Sequence, residues 1–264
     1  MTENLRSSLQ QYVTLHWKLF NEVLSINELD VSKWLEDTYG TKNLRHMDLR
    51  GFDFSYANLD GVDFSGSDLL GINLRGASLK NANFQGATLM GALLDQAKMS
   101  YCNFTDTDLR GASIYNTDFE SSNFKNANMN DLRNTQKCVF KGANLEDICF
   151  KSLNLEHTNF KKANLRGCNL ENADLQYACL EEANISGASL KSANLSKAEI
   201  SYIKGVTLDQ LSETLCIFSA YTDDEDQQTN DLLDALEAQT TPSKDIAFLD
   251  EELAMDESQP LMNA

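Results

Sequence analysis

Residues 47–91 read MDLRG FDFSY ANLDG VDFSG SDLLG INLRG ASLKN ANFQG ATLMG when they are written in fives. The third residue of each unit is Leu or Phe, and we call this position the centre. A period of five belongs neither to an α-helix nor to an isolated strand. It indicates an internal repeat, which decides the fold before any other feature of the chain.

The repeat extends over most of the chain. From Leu49 the centres continue without a gap to Met129, and they resume at Phe140 and run to Ile200. The slip at residues 130–137 inserts one residue and leaves one unit without an apolar centre. We expect a bulge or small loop there. Bulges often mark functional sites, although an insertion with no role would look the same.

Two positions of each unit suit a narrow interior. The centre is large, and the residue two before it is small, most often alanine, so the two can interdigitate. Eleven of the thirteen glycines follow a centre by two residues, where a type II turn requires a positive φ. Each unit should therefore form one side and one corner of a square coil. Stacking at about 4.8 Å predicts a rod of about eight coils, roughly 38 Å long.

Several units match the pattern A(D/N)LXX letter for letter: ANLDG at 57–61, ANLRG at 163–167, ADLQY at 173–177 and ANLSK at 193–197. In these units the sequence resembles the pentapeptide-repeat family. The resemblance implies an all-β solenoid, a right-handed quadrilateral β-helix. It says almost nothing about function, because one fold hosts many functions.

The ends of the repeat region carry helical patterns. Helical spacing of apolar residues predicts an N-terminal α-helical cap over residues 1–43, with a second short helix around Val31–Leu35 that ends at Gly40. A partner-binding helical pair is the alternative for this region. The solenoid should cover 44–205. Thr207 begins the capping-box pattern TLDQ, which predicts a short C-terminal helix through Leu215 and a cap over 206–220.

The formal charge of −18 is distributed unevenly. Residues 1–43 carry a net −2, residues 44–207 a net −2, and residues 208–264 a net −14. We expect an acidic, disordered tail over 221–264, with two fragments, DLLDALEAQ and IAFLDEELAM, able to form helices on a partner. An acidic tail on a nearly neutral rod argues against direct nucleic-acid binding.

No pattern indicates an enzyme. His16, His46 and His157 are isolated in sequence, which gives no catalytic dyad and no metal-ligand spacing. The six cysteines show no CxxC and are expected to be reduced, with Cys102, Cys138 and Cys168 facing inward and Cys149 and Cys179 outward. We therefore predict no catalytic residue, no cofactor and no metal.

Two groups of residues are candidate partner-binding sites. Leu70 and Met90 should stack in one outward column, and Leu93 takes a position that the motif gives to Asp or Asn. Exposed apolar patches can mark protein interfaces, although single exposed apolar residues are common. In the tail, the candidates are Phe248, Leu249, Glu251 and Glu252.

These features favour a non-enzymatic protein-protein interaction scaffold whose partner the sequence does not name. A narrower hypothesis is a translocated bacterial effector, because FLDEELAMDE resembles the glutamate-rich C-terminal signals of type IV secretion substrates. The alternative is a DNA-mimicking, gyrase-binding protein like the quinolone-resistance members of the family. The chain shows no membrane span and no signal peptide, which predicts a cytoplasmic protein or delivery into a host cell without a signal peptide. A homodimer through a terminal cap is also open.

Overall fold

The computed structural model describes residues 2–22, 30–217 and 220–240. Most parallel bridges join residues that are twenty apart, beginning with Asn43–Asp63, so that four five-residue units close one coil. In this part of the chain each side contributes a single bridged residue rather than a longer strand. The chain is a β-solenoid, as the five-residue period predicts.

Each corner is a tight turn with one residue in the left-handed region. The amide of Ala57, for example, donates to the carbonyl of Phe54 at 3.0 Å, and Tyr56 between them has φ +57°. The glycines after a centre have positive φ as predicted, for example Gly51 at +66°. Non-glycine residues occupy the same position at many corners. The residue before the centre helps to hold the turn, since Asp53 Oδ1 accepts the Ser55 amide at 3.0 Å.

Centres fill the interior in stacked columns. In the first aromatic column, Phe64, Phe84, Phe104 and Phe124 have successive ring-centroid separations of 5.2, 5.0 and 4.7 Å. In the second, Phe119, Phe140 and Phe160 lie 5.2 and 5.5 Å apart. All seven rings are buried. Both predicted columns are therefore present, and their stacked rings fill the interior of the middle coils.

The slip is a one-residue bulge at Asn134. Bridges separated by twenty residues, such as Ser113–Arg133, give way to a separation of twenty-one at Asp118–Val139. Asn134 is exposed with φ +51°, a conformation that Asn tolerates. The next residue, Thr135, takes the buried centre position and donates its hydroxyl to the carbonyl of Asn154. The coil thus accepts a polar centre because a hydrogen bond satisfies it.

Two N-terminal helices lie against the first coil: α1, Thr2–Glu22, and α2, Val31–Tyr39. Among their described side chains, the buried apolar residues are Leu9, Val13, Val31 and Leu35. Ser32 donates its amide to the carbonyl of Asn58 at 3.0 Å, which joins α2 to the ladder of coils. The helix ends at Gly40, which has φ +67°, as the sequence predicts. Side chains of residues 16–22 lie outside the described part.

At the C-terminal end, α3 is shorter than predicted. It spans Leu208–Ser212 and begins with the predicted capping box between Thr207 and Gln210. It stops before Leu215 because the chain returns to the coil, where Cys216 bridges Asn194.

The expectation of a disordered segment from residue 221 is wrong for residues 227–240, which form helix α4, Gln227–Thr240. Asp226 is buried and accepts the amides of Tyr202 at 2.5 Å and Thr229 at 3.3 Å. Leu236 is also buried. The acidic fragment DLLDALEAQ therefore forms its helix on the rod itself, because the open end of the coil exposes apolar core that α4 can cover.

Gly205 offers a test of this end of the rod. It has φ +70°, and a Cβ atom there would lie 2.8 Å from Cβ and 2.9 Å from Cα of Ser186. We expect Gly205→Ala to reduce the free energy of unfolding by about 2–4 kcal/mol, because backbone strain and overpacking add. The matched control is Gly187→Ala, where φ is +69° and no atom lies within 4 Å. It should lose only about 1 kcal/mol of backbone strain. Equal losses in denaturant melts would contradict the packing described for Gly205.

Candidate protein-interaction surfaces

Leu70, Met90 and Leu93 were predicted to form one surface group, and we call them the apolar patch. The amide of Gly71 donates to the carbonyl of Met90 at 2.9 Å, so that Leu70 and Met90 belong to stacked corners one coil apart. Leu93 lies on the adjoining side, between Asn73 and Ser113 in its ladder. Leu70 is 44% exposed, while Met90 and Leu93 are half-buried. The three residues thus occupy one corner column and the adjoining side of the rod.

Arg110 borders the apolar patch. One of its guanidinium nitrogens lies 3.5 Å from Met90 Sδ and 2.7 Å from the Asp108 carboxylate. That hydrogen bond to Arg110 is the first cause of the lowered pKa of Asp108. The edge of the patch is therefore polar but locally neutral, as at the rim of many protein interfaces.

A second surface, which the sequence reasoning missed, runs along another corner. We call Lys137, His157, Tyr177 and Lys197 the corner ladder, since successive members lie one coil apart. The rings of His157 and Tyr177 stack at 4.8 Å with 13° between their planes. Lys197 Nζ donates to the Tyr177 hydroxyl at 3.0 Å. The spacing of twenty residues in the sequence could have revealed these two rings between two lysines.

An open depression of about 550 Å³ lies beside the start of the ladder. Its lining residues are Asp95, Tyr115, Asn134, Gln136, Lys137, Glu156 and His157. The bulge at Asn134 forms part of its wall, and Asn134 Nδ2 donates to Ser113 Oγ at 2.9 Å. Lys137 Nζ lies 5.6 Å from the centroid of the Tyr115 ring. The inserted residue thus coincides with a polar, aromatic-lined hollow in the rod.

Many surface charges pair between coils. The Lys141–Glu120, Lys151–Glu171 and Lys162–Glu182 ion pairs have N–O distances of 2.8, 2.6 and 3.2 Å. Each joins residues about twenty apart in sequence. Carboxylates on these corners therefore face cations rather than forming a continuous negative stripe.

Cys179, Glu181 and Glu199 form a cluster that the sequence reasoning also missed, with one potential ligand atom from each residue within 4.8 Å of the others. Burial raises the pKa of the Cys179 thiol to about 11, and the thiol donates to Glu199 at 3.3 Å. Lys161 pairs with Glu181. The cluster is thus internally hydrogen-bonded and paired, with a protonated thiol at neutral pH.

Two further sets of sequence predictions concern the inward cysteines and the candidate residues of the C-terminal tail. Cys102, Cys138 and Cys168 are buried as predicted, and burial raises the pKa of the Cys138 and Cys168 thiols to about 12. Phe248, Leu249, Glu251 and Glu252 lie outside the described residues. Among the helices that the structure describes, none is long and apolar enough to span a membrane.

The family model described as Pentapeptide repeats matches the chain in eight copies, within residues 43–69, 57–96, 89–126, 138–176, 148–187 and 168–201. These ranges cover more than half of the 264 residues. The chain belongs to the pentapeptide-repeat family. The matched ranges leave out residues 127–137 of this pentapeptide-repeat protein, which is where the bulge lies.

Solved pentapeptide-repeat proteins are similar to the chain. One from the thylakoid lumen of Arabidopsis thaliana is 28% identical, and the match covers 41% of this chain and 68% of that one, with a TM-score of 0.33. HetL, involved in heterocyst differentiation regulation in Nostoc sp. strain PCC 7120, is 24% identical over 67% of this chain and 86% of its own, with a TM-score of 0.28. These scores add no argument about function.

QnrB1, a plasmid-mediated fluoroquinolone resistance protein, is 16% identical to this pentapeptide-repeat protein. The match covers 74% of this chain and 96% of QnrB1, with a TM-score of 0.38. No curated protein matches the sequence significantly.

Proposed function

We propose that this protein is a non-enzymatic scaffold for protein-protein interactions and that the apolar patch is a contact for a protein partner. The observation that carries the proposal is the replacement of polar outward positions by Leu70, Met90 and Leu93 at one place on the rod. A stack of coils with a close-packed core supplies a rigid surface. Little conformational entropy of this surface would therefore be lost when a partner binds. We also propose that the coil winds in the right-handed sense and that helices α1, α2, α3 and α4 cap the two ends of the rod.

The direct test replaces the patch by residues that the motif allows. Leu70→Ser, Met90→Gln and Leu93→Asn together should leave the melting temperature close to that of the parent, because all three side chains point outward. Affinity capture from bacterial and eukaryotic lysates should lose the specific partner with this variant. Tyr101→Ser, at a 60% exposed tyrosine on a different corner, is the control and should retain it. If the triple variant still captures the partner, the apolar patch is not part of the interface.

The narrower proposal is a translocated bacterial effector whose C-terminal segment is read as a delivery signal. It is supported by the composition of residues 245–257, which hold six acids and no base. This proposal includes a cytoplasmic site of action, either in the producing cell or in a host. It also includes a homodimer through a terminal cap. The apolar patch neither requires nor excludes these two features.

The alternative, DNA mimicry, predicts an inhibitor of gyrase. Duplex DNA carries about one negative charge per 1.7 Å of its axis, so a mimic needs a large acidic excess along the rod. The rod carries a net −2 over residues 44–207, and many of its carboxylates pair with cations. We expect purified protein at micromolar concentration to leave gyrase supercoiling unchanged. Clear inhibition at low micromolar concentration would overturn the charge argument.

A further inference from the structure

The corner ladder combines an unneutralised cation with exposed flat rings. Among the described residues, Lys137 has no carboxylate within ion-pair distance. Asp95, in the same depression, is already engaged, because it pairs with Arg75 at 3.1 Å and accepts the Ser113 hydroxyl at 2.5 Å. Glu156 lies 3.6 Å from His157 Nε2 rather than against Lys137. The surface therefore favours a ligand that carries both carboxylates and an apolar or aromatic side chain.

The chain contains a segment of that chemistry. Residues 245–257, DIAFLDEELAMDE, carry six acids and no base, and they include Phe248 and Leu249. Carboxylates suit the ladder lysines, and an apolar side chain suits the stacked rings of His157 and Tyr177. Aromatic rings next to cations favour such mixed contacts, each worth about 1 kcal/mol at an exposed site.

The chain that leads to the segment is also long compared with the ladder. Helix α4 begins beside Asp226, which accepts the Tyr202 amide at the end of the rod nearest to Lys197, and it ends at Thr240. Lys137 and Lys197 are three coils apart, which corresponds to about 14 Å at the usual strand spacing. Eight extended residues, the distance in sequence from Thr240 to Phe248, span up to about 26 Å.

We propose that residues 245–257 dock in cis on the corner ladder, with carboxylates facing Lys137 and Lys197 and Phe248 against the His157–Tyr177 stack. The contact is mainly electrostatic and lies on the surface, so it is weak and is displaced by salt or by a tighter partner of the segment. The proposal is independent of the apolar patch. In this arrangement the rod binds its own C-terminal segment reversibly.

Zero-length carbodiimide cross-linking of the full chain tests the contact, because it couples a carboxylate only to an amine that it touches. We expect cross-links from Lys137 and Lys197 to the acids of residues 245–257. Lys80 and Lys98, exposed lysines elsewhere on the rod, are internal controls. The ladder lysines should exceed them by about fivefold, the ratio that corresponds to about 1 kcal/mol. The products should be intramolecular and unchanged on dilution, and high salt should suppress them.

The double variant His157→Ala with Tyr177→Ala keeps both ladder lysines but removes the rings. Its cross-links should fall to the level of Lys80 and Lys98, whereas Tyr101→Ala should leave the yield unchanged. Circular dichroism melts verify that each variant is folded, and the comparison between lysines in the parent protein needs no variant. Equal labelling of all four lysines, cross-links between copies, or no cross-link to the segment would each overturn the proposal.

Discussion

Phe104→Asp should abolish cooperative unfolding of the rod. Phe104 is fully buried between Phe84 and Phe124, with ring centroids 5.0 and 4.7 Å away. The Phe119 ring lies nearly perpendicular to it, at a centroid separation of 5.7 Å. The substitution removes a large side chain, which costs about 3–5 kcal/mol, and buries a carboxylate without a partner, which costs several kcal/mol more. A typical domain has only about 5–15 kcal/mol of stability.

Thermal melts followed by circular dichroism would measure this effect. Phe104→Leu is the control, because leucine fills the centre position in many other coils and should cost only about 1–2 kcal/mol. Coils contact only their neighbours, so the aspartate should disrupt the middle of the rod and separate its two halves. A melting temperature for Phe104→Asp within a few degrees of the parent would contradict the stacking of Phe104.

Deletion of residues 241–264 should abolish delivery in a translocation reporter assay, in a bacterium with a type IV secretion system, while the rod stays folded. Helix α4 ends at Thr240 and buries Leu236, so this deletion leaves the described C-terminal end intact. The segment contributes only the weak contact proposed for the corner ladder. A stabilisation of about 1 kcal/mol corresponds to a shift of roughly 2–4 °C in a domain of this size.

Two point variants separate the contributions of the segment. Glu251→Gln with Glu252→Gln removes charge but keeps the apolar residues, and Phe248→Ala with Leu249→Ala does the reverse. Delivery should fall in both, because a recognition segment needs its acids and its apolar side chains. A large loss of stability on deletion would show that the segment belongs to the fold. Undiminished delivery would show that it is not a signal.

The fold could be predicted from the sequence because every unit repeats the same packing problem. A centre such as Phe84 must lie inside, and a residue two positions later must turn the chain. The same regularity concealed the exceptions. The sequence located the slip only within residues 130–137, since neither Asn134 nor Thr135 has the apolar side chain that identifies a centre. The buried hydroxyl of Thr135 became understandable only from its hydrogen-bond acceptor on the next coil.

The packing of helix α4 on the rod and the corner ladder were missed for a different reason. Composition placed 227–240 in the acidic tail, but Leu236 finds apolar core at the end of the rod, which is a tertiary contact. The ladder residues Lys137, His157, Tyr177 and Lys197 are unremarkable in any one unit. Only the twenty-residue coil places them on one corner, so their relationship depends on the geometry of the fold.

The twenty-residue coil is the central claim, and a disulfide tests it most directly. Asn169 bridges the exposed Cys149 in register on the next coil. Neighbouring strands lie about 4.8 Å apart, within the Cα–Cα range of about 4.4–6.8 Å that a disulfide spans. Asn169→Cys should therefore form a disulfide with Cys149 on mild oxidation, identified by mass spectrometry of the digest. Asn164→Cys, on a different side of the coil, should not. Failure of the first pair, or equal oxidation of both variants, would contradict the coil.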